Sequence, residues 1–419
     1  MTGNAPTFAT PFLRIFLPFA FAYFLSYIFR GVNAVIFPYL EHDIGITAGD
    51  LGLLTSAFFL FFAGCQPVLG VMLDRYGPRR VQVVLMIVAA AGSGLFGLSL
   101  SLGELVVARM LIGLGFAGGL MAAIKAITLW YPPERWGLIT GFHMMAGGLG
   151  TMAATLPVEW SLSVVSWQGL FFWLTGSCFV SAAILLAVVP ERAPTPTRDT
   201  LAEQFRITGI VLTDGFYWRI QPLMAIQQLA FIGCISLWIG PWLRDVGGIA
   251  GKTERADIQL YTAAIMTLGF AMSGVATNAF RRVGVSSFAS VGITSTLFAM
   301  VCGWLAFLPW LQPVVAWLAF GFLGALPIQY MPLMVAAFPA HYAGRVSTSS
   351  NLVVFSVIFA GQWAIGKVVD LWPRTATGYA ADGYTWAFGA LFILQLGGLA
   401  WLILSRARPM ARPHLVAAD

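Results

Sequence analysis

The sequence predicts an all-α membrane protein with twelve transmembrane helices in two pseudo-symmetric halves of six. Of its 419 residues, 59% are hydrophobic and only 10% are charged, whereas a soluble domain carries about 25% charged residues. The apolar residues form runs of about 20, the length that a helix needs to cross the hydrocarbon core of a bilayer. Such continuous runs exclude a β-barrel, whose strands alternate between apolar and polar residues.

Twelve apolar runs follow one another along the chain. They occupy residues 13–37, 51–72, 82–101, 105–130, 138–158, 167–189, 219–243, 257–279, 285–307, 313–338, 346–368 and 384–405. The only long polar stretch, residues 190–218, separates the sixth run from the seventh and is predicted to be a linker. We therefore expect a first half at 1–189, a second half at 219–405 and a tail at 406–419.

The two halves carry a faint repeat. Phe37-Pro38-Tyr39-Leu40 ends the first run, and Gly240-Pro241-Trp242-Leu243 ends the seventh. Most of the 23 Lys and Arg residues fall in loops on the same side as the two chain ends. Because basic loops stay in the cytoplasm, we expect both termini to be cytoplasmic and the protein to lie in a bacterial-type inner membrane.

One short turn between the second and third runs concentrates charge and glycine. Its notable residues are Gly70, Asp74, Arg75, Gly77, Arg79 and Arg80. Glycine allows close helix approach and a tight turn. The spacing resembles the signature loop of the major facilitator superfamily, G-x-x-x-D-R-x-G-x-R-R. That resemblance implies a secondary transporter whose halves rock around a substrate held between them near the middle of the membrane, with this loop controlling the conformational change. The alternative is an ordinary basic loop.

A polar stripe crosses the first apolar run. Tyr23, Tyr27, Arg30 and Asn33 are spaced by four, three and three residues, which places them on one helix face. A charge within the hydrocarbon region is costly and indicates a function. The stripe also resembles the first span of organophosphate/phosphate antiporters and of anion–cation symporters, where an arginine binds the substrate's phosphate or carboxylate. The organophosphate group has a second arginine in span 7, where this chain has Gly233. The alternatives for Arg30 are pairing with a neighbouring helix and extension of its side chain to the headgroups.

Two further cations and one histidine lie inside apolar runs. Arg109 opens the fourth run and resembles the family's R-x-x-x-G motif, whose arginine faces the cavity; Lys125 follows sixteen residues later. The two stand about 160° apart on a straight helix, so both can face a cavity only if the glycines between them bend it. Lys125 could instead extend to the headgroups. His143 precedes two methionines and is interpreted as a lining residue, with a soft-metal ligand as the alternative.

The second half offers neutral polar side chains. They are Gln227, Gln228, Gln329, Tyr330, Asn351 and Gln362. Each could hydrogen-bond a solute or join two helices. No carboxylate falls in the middle of an apolar run. Three buried cations without a buried anion predict a positive cavity, which favours an anionic substrate.

We therefore expect a transporter of a small organic anion, of carboxylate or phosphate type, that acts as a monomer in the lipid bilayer. The alternatives are a proton-coupled exporter of drugs or metabolites, a copper-type metal importer, and a receptor or scaffold with a transporter fold. No nucleotide-binding loop, catalytic set or metal cluster is apparent in the sequence. We expect no enzymatic activity, cofactor, metal or nucleic-acid partner.

Overall fold

The computed structural model describes residues 12–191, 201–339, 342–375 and 378–405. Nearly all of them are helical, because a backbone in lipid must satisfy its hydrogen bonds within its own segment. The β pairing among these residues is one isolated bridge between Arg374 and Tyr379.

We label the membrane helices α1 to α12. Their bounds are α1 Phe12–Ile44, α2 48–76, α3 78–98, α4 Leu102–Trp130, α5 Pro133–Ala153, α6 Trp167–Val188, α7 Gly215–Asp245, α8 Lys252–Arg282, α9 Ser287–Phe307, α10 313–336, α11 Ala343–Val369 and α12 Ala381–Leu404. A further helix, Leu201–Thr213, lies within the predicted linker. The described residues thus place a helix at each of the twelve apolar runs.

Nine helices among the described residues are long and apolar enough to cross a membrane. The all-helical membrane fold is therefore confirmed, while the count of twelve spans stays a prediction. The three other helices are α5, α8 and α10. Two of them are interrupted: α5 stops at Ala153 and resumes as the short helix Leu156–Ser161, and α10 passes through a 3₁₀ turn at Leu326–Gln329.

Side chains and one glycine define where the helices begin and break. Thr47 and Asp50 form a capping box at the start of α2, in which the Thr47 hydroxyl accepts from the Asp50 N–H at 3.1 Å. Gly77 separates α2 from α3 with φ 79° and ψ 159°. Only glycine adopts these angles without strain, so the tight turn predicted from the sequence is present at this residue.

Two helices from opposite halves make direct backbone contact along a line that we call the seam. It joins the start of α2 to the end of α11, on the face that carries the α1–α2 turn. A Cβ at Gly52 would lie 2.7 Å from the carbonyl oxygen of Gln362, and a Cβ at Gly366 would lie 2.5 Å from that of Ala48. Because neither glycine has a side chain, the two helices close on each other at this face.

Gly52→Ala should therefore hold the seam apart. Overpacking of this kind costs about 1–3 kcal/mol, so we expect the ratio of seam-closed to seam-open molecules to fall by about fivefold or more. The ratio can be measured from distances between two spin labels, one on each half at this face. Gly64→Ala on the same helix is the control, because a Cβ there meets nothing within 4 Å. Equal ratios in the two variants would contradict close backbone packing at the seam.

Candidate functional site

A cavity of about 300 Å³ lies between the two halves. Its lining comes from eight helices: α1, α2, α4 and α5 of the first half and α7, α8, α10 and α11 of the second. Both halves thus contribute the equivalent helices, and no described residue of α3, α6, α9 or α12 lines the cavity. The cavity lies where the sequence predicted a substrate to bind.

Arg30 brings a positive charge to the cavity wall. Its guanidinium carbon lies 4.6 Å from the ring centroid of Tyr27 and 5.0 Å from that of Phe62. The rings of Phe58 and Phe355 follow at 5.8 and 6.0 Å. Among the described residues, Arg30 has no ion pair or hydrogen bond, and its buried Nε has no partner. Aromatic faces attract a cation but do not neutralise it.

Tyr23 and Tyr27 stand beside Arg30 on α1 and also line the cavity. Their hydroxyl oxygens are 3.2 Å apart. The Tyr23 ring stacks on His143 at 4.3 Å between centroids. A Cβ at Gly147 on α5 would lie 2.8 Å from Tyr23 and 2.9 Å from Tyr27. The missing side chain of Gly147 therefore leaves the space that these two rings occupy.

Two polar residues of the second half complete the predicted set in the cavity. Gln228 on α7 and Asn351 on α11 both line it. The structure thus brings five of the predicted binding residues together: Tyr23, Tyr27, Arg30, Gln228 and Asn351.

The other predicted residues of the first half lie outside the lining. Arg109 is fully buried and donates a hydrogen bond to the carbonyl oxygen of Phe29 at 2.9 Å, which joins α4 to α1. Asn33 donates to the Thr55 hydroxyl at 2.8 Å, which joins α1 to α2. The helix α4 is interrupted at residues 117–118, within the glycine-rich stretch, yet neither Arg109 nor Lys125 reaches the lining.

The remaining predicted residues also stand behind the wall. His143 is buried on the far side of the Tyr23 ring. Tyr330 donates to Gln227 at 2.9 Å, and Gln329 donates to the Ser273 carbonyl at 3.0 Å. Gln362 donates to the Gly233 carbonyl at 3.2 Å. These amides and hydroxyls connect helices of the second half to one another.

Sequence reasoning missed most of the lining. The missed residues that bear on the site are Phe62, Gln66, Met121, Phe231, Gln259, Met266 and Phe355. Gln66 and Gln259 interrupt apolar runs and could have been found by that signal. The aromatic residues and methionines carry no such signal, because a membrane helix is apolar both toward lipid and toward its neighbours.

The signature turn is tied to the end of α6. Arg80 pairs with Glu191, and Arg79 lies 3.7 Å from the same carboxylate. Arg79 also donates to the Leu186 carbonyl oxygen. Arg75 points over the ring of Tyr76 at 5.4 Å. The side chain of Asp74, to which the sequence assigns a gating role, lies outside the described part of the structure.

Charged and polar groups close the cavity at the seam face. Glu41 at the end of α1 lies 3.1 Å from Arg374 and 3.7 Å from Arg244, both from the second half. The Tyr379 hydroxyl accepts from the Ala48 N–H at 2.6 Å and from Arg374 at 2.9 Å. We call these five residues the latch. Burial raises the pKa of Tyr379 to about 12, so its hydroxyl stays neutral at physiological pH.

A buried carboxylate supports the latch from within the second half. Asp245 accepts from Arg244 at 2.6 Å and from the Tyr384 hydroxyl at 2.7 Å. It also accepts from the Tyr379 N–H at 3.2 Å. Asp245 therefore fixes both Arg244 and the segment that carries Tyr379, so that they face Glu41 and Ala48.

A family model described as the Major Facilitator Superfamily matches residues 19–362. The chain belongs to the major facilitator superfamily. It is accordingly a multi-pass membrane transporter and not an enzyme.

Two solved structures share the fold. A bacterial homologue of the human lysosomal transporter Spinster, inward-facing and occupied, superposes with a TM-score of 0.74 at 17% identity, covering 93% of this chain and 96% of that one. A D-xylose–proton symporter superposes with a TM-score of 0.71 at 14% identity, and the match covers 96% of this chain and 98% of that one.

Named relatives are 22 to 28% identical to this chain. The hexuronate transporter of Escherichia coli is 28% identical over 393 residues, which is 90% of this chain and 84% of that protein. A probable sulfoacetate transporter of Cupriavidus necator is 26% identical over 257 residues, or 59% of this chain. That second match spans about 60% of the relative's own length.

The latch gives a testable prediction. Glu41→Gln removes the carboxylate that two arginines share, and exposed or partly exposed ion pairs contribute about 0.2–1 kcal/mol. We expect the seam-closed population to fall by up to about fivefold relative to the open one, measured by the same pair of spin labels. High salt should shift the wild type in the same direction, because screening weakens the pairs. Glu254→Gln, an exposed carboxylate of α8, is the control. If Glu41→Gln changed the seam-closed population no more than Glu254→Gln does, Glu41 would not stabilise the closed seam.

Proposed function

We propose that the protein is a secondary active transporter of a small organic anion. The observation that carries this proposal is Arg30, a cation on the wall of the central cavity that has no counter-ion among the described residues. An isolated charge away from bulk water is costly unless an opposite charge approaches it. A carboxylate or a similar oxyanion fits because the planar guanidinium donates two parallel hydrogen bonds to such a group.

The named relatives support an anionic solute. Hexuronate and sulfoacetate, named for two of them, are both organic acids, and a sialic acid transporter of Escherichia coli is 22% identical over 252 residues. The acid group is what these solutes share, and Arg30 is the residue in this cavity able to bind it. We therefore assign the acid group of the solute to Arg30, with the Tyr27 hydroxyl beside it.

The transport cycle follows from the two faces of the molecule. We propose that the chain ends are cytoplasmic, that the protein is a monomer in a bacterial inner membrane, and that the seam face is external. In this arrangement residues 1–189 and 219–405 rock around the linker at 190–218. The latch keeps the external side closed in this structure. The turn that contains Asp74 and Arg75 stabilises the opposite state of the cycle.

A metal cargo is less compatible with the site. Five methionines line the cavity, and thioethers suit soft metals. However, the unneutralised guanidinium of Arg30 repels a cation held in the same space. Among the described residues, no group of three or more His, Cys, Asp and Glu side chains lies close enough to hold a metal ion.

Substitution of Arg30 tests the proposal. Loss of a charge-assisted hydrogen bond costs about 1.5–3 kcal/mol, or roughly 10- to 100-fold in affinity. We expect this loss in Arg30→Ala and only partial recovery in Arg30→Lys, which keeps the charge but not the planar fork. A thermal-shift screen against carboxylates, sulfonates and phosphates finds the ligand, and uptake into proteoliposomes measures transport.

Arg282→Gln, which removes an exposed arginine at the end of α8, is the matched control and should transport as the wild type does. Equal affinity in the wild type and in Arg30→Ala would show that the anion does not bind at Arg30. Transport of neutral or cationic solutes alone would overturn the proposed function itself.

A further inference from the structure

The described lining of the cavity carries one charge, and most of its surface is apolar. Among the described residues that line it, Arg30 is the only charged one. The lining includes several aromatic and thioether side chains, among them Phe62, Phe231, Phe355 and Met266. A second anionic group on the solute would enter this space without a partner, and an unpaired buried charge is strongly unfavourable. The charge of the wall therefore matches a solute with a single negative charge.

Most hydroxyls of the wall are already used. Thr151 donates to the Gly147 carbonyl at 3.2 Å, and Thr262 donates to the Ile258 carbonyl at 2.8 Å. Ser236 donates to the carbonyl of Gly233 at 3.3 Å. Each hydroxyl bonds back to its own helix, a common way for such groups to be satisfied in a helix interior. They hold their protons toward the helices and not toward the cavity.

The amides of the wall are few and partly engaged. The Gln66 amide nitrogen donates to the carbonyl oxygens of Phe62 and Ala117 at 3.4 and 3.2 Å. Gln228, Gln259 and Asn351 remain in the lining with no hydrogen bond to another described residue. A sugar acid carries several hydroxyls, and each one buried without a partner costs free energy. These three amides can serve some of those hydroxyls, but most of the remaining wall is apolar and suits an acid whose body is apolar.

We propose that the solute is a monoanion with an apolar body, best an aromatic ring, and not a sugar acid. This inference rests on the proposed function and names its substrate class. The acid group binds Arg30, and the ring packs among the phenylalanines and methionines. Methionine sulfur makes favourable contacts with aromatic rings, and its flexible side chain adapts to bodies of different shape.

Four probes of related shape test the inference by calorimetry on the purified protein in lipid nanodiscs. They are 4-methylbenzoate, its neutral amide, the dianion terephthalate and D-glucuronate. We expect 4-methylbenzoate to bind at least about tenfold more tightly than each of the others. Terephthalate brings a second charge without a partner, D-glucuronate brings hydroxyls without partners, and the amide lacks the charge that pairs with Arg30. Arg30→Gln should abolish the preference for 4-methylbenzoate over its amide.

A second variant tests the apolar wall. Met266→Gln places an amide in the lining. It should weaken the binding of 4-methylbenzoate by about three- to tenfold, because the sulfur–aromatic contact is lost. Met300→Gln is the control, because Met300 is exposed on α9 and away from the cavity. Uptake of 4-methylbenzenesulfonate into proteoliposomes completes the test, since this anion stays ionised and does not cross lipid by itself.

The outcomes separate the two proposals. Tight binding of D-glucuronate that depends on Arg30, with weak 4-methylbenzoate, overturns the apolar monoanion and leaves the anion transporter standing. If terephthalate and 4-methylbenzoate bind equally tightly, the solute is not restricted to a single negative charge. If none of the four probes binds, the assigned substrate class is wrong. Binding of the neutral amide as tightly as 4-methylbenzoate, unchanged in Arg30→Gln, overturns the proposed function as well.

Discussion

An arginine inside a membrane protein must find something to hold its guanidinium, and this requirement organises the structure. Arg109 and Arg219 solve it in the same way. Each donates to a backbone carbonyl oxygen, Phe29 at 2.9 Å and Leu402 at 3.2 Å respectively, and lies over a phenylalanine ring. Arg30 lies among aromatic rings but donates no hydrogen bond to another described residue. The hydrogen bonds of Arg109 and Arg219 connect helices, whereas Arg30 connects none.

The sequence placed both Arg30 and Arg109 in the cavity lining, and the structure places only Arg30 of these two there. Both are cations within apolar runs, so the cost of burial draws attention to each. Only the packing of α4 against α1 shows that Arg109 turns toward Phe29. The signature turn predicted the fold through its resemblance to the family's loop, and the tight turn expected at its glycine is present at Gly77, with φ 79°.

Other parts of the site could not be predicted because they depend on contacts across the chain. Asp245 holds Tyr379 and Tyr384, which follow it by more than 130 residues. The pairing of Glu41 with Arg374 also joins opposite ends of the sequence. Hydrophobic periodicity cannot reveal such pairs, because it describes one helix at a time. It also fails to separate the cavity wall from the lipid-facing surface, since phenylalanine and methionine suit both.

The seam has a consequence for how the molecule opens. At Gly52 and Gly366 the contact is between main chains, with no side chain between them that could swing aside. Packed backbones separate together or remain together, because close-packed interfaces have discrete arrangements and do not deform gradually. Opening at this face must therefore separate α2 and α11 as whole helices, and the rotation of a single side chain cannot do it.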